Sequence, residues 1–161
     1  MKNLIIILFL LFTNYAFAQV VSSDTRMVSG DIQIWGGGFT TFGGEYEQGL
    51  FDNVTGKGSI DIYPNSYYTG IITRVAGSYY FNDLLKINND QIMVYAGLGL
   101  AKGFSLSALY TYGGYAVAVP VHAGAKYFFN DKIGANAEIL VGRKYTSSAA
   151  FKFGVTFKWE K

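Results

Sequence analysis

The 161 residues contain one histidine, His122, and no cysteine. Those two facts bound the chemistry the chain can do. Without cysteine there is no disulfide, no thiolate zinc site and no acylated lipoprotein cysteine. Hydrolytic catalysis commonly needs a histidine beside a serine or carboxylate. His122 lies between Val121 and Ala123 in an alternating stretch, and the position that shares its strand face two residues on is Gly124, not serine. Packing suits it better than catalysis. GLGLAKG (97–103) has the glycines of a phosphate loop, but they alternate within a strand and no helix follows, so the P-loop and dinucleotide motifs both fail on context. Asp31, Glu45, Glu47 and Asp61 are scattered without metal-ligand spacing. Asn53-Val54-Thr55 is an acceptor triplet by pattern only. Thirteen basic against eleven acidic side chains give no electrostatic case for nucleic acid. The expectation is a protein that is not an enzyme, with no catalytic residue, no cofactor, no metal and no nucleic-acid partner.

Composition points elsewhere. Apolar residues make up 50% of the chain and charged residues 15%, against about 25% charged in an average soluble domain. Twenty glycines, thirteen tyrosines and thirteen phenylalanines with two prolines favour extended structure and tight turns. The length suits one domain. Residues 1–18 differ from the rest. Lys2 precedes the unbroken apolar run Leu4 to Phe12, and Ala16-Phe17-Ala18 is a small-x-small site. That order predicts a secretory signal peptide over 1–18, cleaved before Gln19. A membrane anchor would need about 20 apolar residues. The mature domain is then 19–161, and no later run is long enough for a transmembrane helix.

From there on the chain repeats one theme, period-two alternation punctuated by Gly, Asn and Asp. Strand candidates fall near 28–40, 44–52, 57–63, 67–81, 91–101, 103–112, 115–129, 133–142 and 149–159, with turns at Asn82-Asp83, Asn89-Asp90, Gly113-Gly114 and Asn130-Asp131. A closed antiparallel barrel with both termini on one side needs an even count. The segment 103–112 is therefore taken as the outer part of a long hairpin, leaving eight spans.

The later strands have the clearest faces. In 115–129, Val117, Val119, Val121, Ala123, Ala125, Tyr127 and Phe129 oppose Ala118, Pro120, His122, Gly124, Lys126 and Phe128. In the last strand Phe151, Phe153, Val155, Phe157 and Trp159 oppose Lys152, Gly154, Thr156 and Lys158. Every charge on the four clearest strands shares the second face with Gly70, Gly97, Gly99, Gly124, Gly134, Gly142 and Gly154. Glycine weakens a solvated strand face without packing anything, whereas a narrow barrel has room inside only for small side chains among a few large ones. A charge at mid-bilayer costs about 2–4 kcal/mol, and the charge-free face is the greasy one. The expected fold is thus all-β, an antiparallel up-and-down transmembrane barrel of eight strands.

Two sets of residues follow. Arg74, Lys126, Glu138 and Lys152 point inward as a structural lumen charge cluster. If 129 and 133 flank a three-residue turn, Lys126 faces Asn136 and is diagonal to Glu138. Pairing 142 with 150 makes Lys152 diagonal to Glu138 on the other side, with Glu138 as the acidic hub. The descending strands 67–81, 115–129 and 149–159 end in Tyr79 and Phe81, Tyr127 and Phe129, and Phe157 and Trp159. All six lie on the greasy face, as an interfacial girdle would.

YAGLGL (95–100), GAKYFFNDKIGANAEI (124–139) and GVTFKW (154–159) resemble the closing strands of the small porin-like outer-membrane β-barrel proteins of Bacteroidota, relatives in architecture of the OmpA and OmpX barrels. The resemblance covers 67–159 and carries no catalytic motif. It implies a monomer in the Gram-negative outer membrane, bound by its lipids and inserted by the barrel-assembly machinery. Envelope structure, adhesion or binding through outer loops is the expected role; a wide pore needs about 16–18 strands. The alternative is a secreted, soluble, lipocalin-like barrel that binds a hydrophobic ligand.

Overall fold

The computed structural model describes residues 21–64, 69–105, 117–142 and 149–160. The expected signal segment, 1–18, lies outside them, as does the turn at Gly113-Gly114. Eight strands account for most of the rest: β1 (Thr25–Trp35), β2 (Thr40–Phe51), β3 (Val54–Pro64), β4 (Thr69–Tyr80), β5 (Ile92–Ser105), β6 (Val121–Phe128), β7 (Ile133–Val141) and β8 (Ala149–Glu160). Each pairs antiparallel with its chain neighbour, and β1 pairs with β8 from Thr25↔Glu160 to Trp35↔Ala150. The sheet is closed. An even number of strands places the start of β1 and the finish of β8 at one end, called here the near end, with connections at 52–53, 81–91 and 129–132.

Several strand ends differ from the sequence expectation, and three of the differences have a clear local reason. The stretch 28–40 is not one strand, because the chain turns at Gly36-Gly37-Gly38. Gly38 has a φ of 80°, open to glycine at no steric cost, and Gly38 N–H donates to Trp35 O at 2.9 Å. β6 begins only at Val121, since Pro120 has no N–H for a ladder; Ala118 still bridges Ala101. β5 runs without interruption to Ser105, so Gly103 starts no new strand, and 106–112 lies outside the described residues.

The alternation is expressed as burial. Val75 is 62% exposed, Leu98 64% and Phe153 52%, while Lys152 is 0% and Glu138 3% exposed. A soluble barrel with its greasy face inward would show the reverse, so the lipocalin-like alternative does not describe this molecule. Apolar packing does occur inside, at the near end: Val21, Met27, Tyr80, Met93, Tyr95 and Phe128 form a buried cluster. Above it the middle of the interior is polar, and toward the far end Leu140 and Ala150 are again buried.

Candidate functional site

The interior receives charged side chains from inward-facing positions of most of the strands. β2 supplies Glu45 and Glu47, β3 Lys57 and Asp61, β4 Arg74, β6 Lys126, β7 Glu138 and β8 Lys152, all buried. Glu45 and Glu138 bracket the same three cations. Glu45 lies 2.7 Å from Arg74 Nη2, 2.7 Å from Lys152 Nζ and 3.7 Å from Lys57 Nζ. Glu138 lies 3.1 Å from Arg74 Nη1, 3.9 Å from Lys152 Nζ and 3.4 Å from Lys57 Nζ. Glu47 is ion-paired to Lys126 and accepts hydrogen bonds from Tyr80 Oη at 2.7 Å and Thr55 Oγ1 at 2.5 Å. Lys57 also sits 3.8 Å above the Tyr95 ring, an attraction that strengthens away from water.

Of the four charges expected together, Arg74, Glu138 and Lys152 meet in one cluster. Lys126 of β6 does not pair with Glu138; its partner is Glu47 of β2, which itself lies 3.7 Å from Lys57 of the cluster. Lys126 does face Asn136, but Lys152 stands directly opposite Glu138 rather than diagonal to it. The sharing of the hub with Glu45, and the roles of Glu47 and Lys57, were not anticipated. The available signal was alternation itself: Glu45-x-Glu47 and Lys57-x-Ser59-x-Asp61 keep polar groups on one parity.

The lumen glycines have a specific use. Ser78, Gly97 and His122 stand side by side on β4, β5 and β6. Because the middle residue has no side chain, Ser78 Oγ and His122 Nε2 meet across it at 2.7 Å. A Cβ on Gly97 would lie 2.8 Å from the imidazole and closer still to the Gly77 carbonyl oxygen. Tyr95, Gly124 and Glu138 repeat the arrangement on β5, β6 and β7. There the phenol donates to Glu138 at 3.0 Å, and a Cβ on Gly124 would come within 2.8 Å of it. Each glycine is a window through which residues two strands apart reach one another. The serine partner of His122 therefore comes from β4, not from the histidine's own strand. That pair is buried, and His122 Nδ1 has no hydrogen-bond partner among the described residues.

The shell is the complement. Tyr127, Phe129, Phe157 and Trp159 are exposed at the near end, and Tyr79 and Phe81 are half-buried there. Edge-to-face contacts join Tyr79 to Phe81 at 5.0 Å and Tyr127 to Phe129 at 5.6 Å between centroids. At the far end a cavity of about 30 Å³ lies among Gln33, Trp35, Asp61, Arg74 and Leu140, far below the roughly 300–1,000 Å³ of a small-molecule site.

An apolar shell closed around a filled, charged lumen is the construction of a narrow transmembrane β-barrel. Solved structures agree. The chain is similar to the N-terminal β-barrel domain of Pseudomonas aeruginosa OprF, with a TM-score of 0.70 and 18% identity over 85% of this chain and 98% of that one. It is also similar to the Yersinia pestis outer membrane protein Ail in a phospholipid nanodisc, with a TM-score of 0.56 and 11% identity over 84% and 99%. A de novo designed transmembrane β-barrel aligns with a TM-score of 0.61 and 13% identity over 86% and 98%. At these identities the likeness is one of fold: the small eight-stranded outer-membrane barrel. No protein-family model and no curated protein matches the sequence.

Proposed function

We propose that the chain is exported behind residues 1–18 and inserted as a monomer in the outer membrane of a Gram-negative envelope. There it acts in envelope structure, adhesion or binding through the loops at its far end. The near end faces the periplasm, lipids surround the apolar shell, and the barrel-assembly machinery carries out insertion. One observation carries this proposal: the mid-barrel charges Glu45, Lys57, Arg74, Glu138 and Lys152 are buried, while the outward positions around them, such as Val75, Leu98, Ile139 and Phe153, are exposed and apolar. With no water in the bilayer core, a closed sheet is one of the few ways to satisfy every backbone group.

Eight strands leave an interior just wide enough for side chains, and here the near-end apolar cluster and the ion pairs fill it. Bulk diffusion of large solutes does not fit. Nor does hydrolysis, since Ser78 and His122 are buried in the lumen and no acid among the described residues bonds Nδ1. Fractionation tests the proposal. The protein is expected with the outer membrane, released by detergent, and shifted on unheated gels as closed barrels are. Recovery from soluble periplasm or medium would overturn it.

A further inference from the structure

The connection between β4 and β5 carries the apolar shell beyond the strands. Leu84 and Leu85 are 51% and 58% exposed, beside exposed Lys86. They sit on a single helical turn. Leu85 N–H donates to Phe81 O at 2.9 Å, Ile87 N–H to Asn82 O at 3.0 Å and Lys86 N–H to Asp83 O at 3.2 Å. This is a Schellman closure with Lys86 in the left-handed region, φ 54°. The polar residues of the turn are engaged with the barrel. Asn82 is buried and donates to Ile92 O at 2.5 Å while accepting from Val94 N–H at 2.9 Å. Asp83 accepts from Asn53 Nδ2 at 2.5 Å, which ties the turn to the β2–β3 connection.

Held this way, the turn has its direction fixed. In a helical turn the positions three and four residues after Phe81 share its face, and Phe81 belongs to the lipid-facing series with Tyr79. Leu84 and Leu85 thus extend the aromatic girdle outward along the membrane surface rather than down into water. Lys86 stands on the rim, where an ammonium on a long apolar stem can reach lipid phosphates.

We propose that Leu84, Leu85 and Lys86 form a foot that inserts into the headgroup–acyl boundary of the periplasmic leaflet, its occupant being phospholipid. This rests on the membrane placement above, and the test separates the two. The chain has no cysteine, so single variants Leu84→Cys, Asn89→Cys and Val155→Cys can each carry one nitroxide. The folded protein is placed in phosphatidylcholine–phosphatidylglycerol vesicles, folding being checked by the gel shift. Collision with oxygen, which concentrates in lipid, is compared with collision with a water-soluble nickel chelate. Labels at 84 and 155 should favour oxygen, and the label at 89 in the same connection should favour nickel. If 155 favours oxygen while 84 favours nickel, the foot stands in water and the inference fails alone. A label at 84 shielded from both reagents would mean a protein contact and would also overturn it. Nickel access at all three positions would overturn the membrane placement itself.

Discussion

The two surfaces of this barrel are made from the same eight strands and obey different rules. On the inside the charged side chains have specific partners at fixed distances: Glu45 touches three cations, and Ser78 needs Gly97 to be empty before it can reach His122. On the outside Val75, Leu98 and Val155 have only to be apolar. Substitutions inside should therefore depend on the exact residue, and substitutions outside on hydrophobicity and depth alone. The inner surface holds the identity of the molecule; the outer one holds its solvent.

The largest effect should come from breaking the inner surface at its hub. Removing one member of a buried ion pair costs about 3–5 kcal/mol, because the charge left behind is uncompensated. Glu45→Gln leaves Arg74 with Glu138 alone, while Lys152 keeps Asp31 and Glu138 and Lys57 keeps Glu47 and Glu138, so its loss should lie toward the lower end of that range. Glu138→Gln should cost less, since Arg74 and Lys152 lie nearer to Glu45 than to Glu138. The midpoint of urea unfolding in lipid vesicles measures both. Unmoved midpoints would mean that water reaches these carboxylates and that the two surfaces do not differ as described.

Next is the outer surface at mid-depth. Val155→Arg places a charge among lipid tails, at about 2–4 kcal/mol, and should reduce folding into vesicles as scored by the gel shift. Its neighbour Thr156 is fully buried and hydrogen-bonded to Ser29 at 2.8 Å. Thr156→Arg fails for another reason, lack of room beside existing cations. The two are told apart by Val155→Phe and Thr156→Phe, of which only the first should fold like wild type. If Val155→Arg folds normally, the greasy face does not meet lipid.

The windows give a smaller effect. Gly97→Ala puts one methyl group against the imidazole and the Gly77 carbonyl, and overpacking of this kind typically costs about 1–3 kcal/mol. Gly58, with nothing within 4 Å of its added Cβ, is the control: Gly58→Ala should fold and unfold as the parent does. Equal unfolding midpoints for the two variants would remove the idea of a window.

This contrast also explains what the sequence could reveal. In β6 to β8 the outward positions are aliphatic or aromatic, and in β4 and β5 they are mostly so, with Thr73, Gly77 and Lys102 among the exceptions, so alternation fixed the faces and put Arg74, Lys126, Glu138 and Lys152 inside. In β2 and β3 the outward positions include Gly44, Gln48, Gly56 and Gly58, which blur the pattern. Glu45, Glu47 and Asp61 consequently looked scattered. The turn at Gly36-Gly37-Gly38 was hidden inside an apparent strand for a similar reason, since glycine is ambiguous between turn and lumen. Contacts through windows are a different case. Ser78 with His122 depends on the registers of two successive strand pairs, and a slip of two positions, as happened for Lys152, would undo it. Alternation fixes a face but leaves such a slip unspecified.

The smallest effect is expected where the two surfaces meet water. Trp159 lies on the outer face in the last turn of pleat on β8, opposite Arg26 of β1 and 39% exposed. At that depth the headgroups begin, and a charge on the lipid face costs only about 0–1 kcal/mol. Trp159→Arg should then move the unfolding midpoint far less than Val155→Arg, although the two residues share a strand and a face. Arg26 directly opposite adds some repulsion, which Trp159→Glu would replace by attraction. The pair of variants separates depth from charge sign. If both are mild and Trp159→Glu is the milder, depth sets the scale and Arg26 the correction. A loss for Trp159→Arg as large as that for Val155→Arg would place the near-end girdle inside the hydrocarbon and shift the whole barrel along the membrane normal.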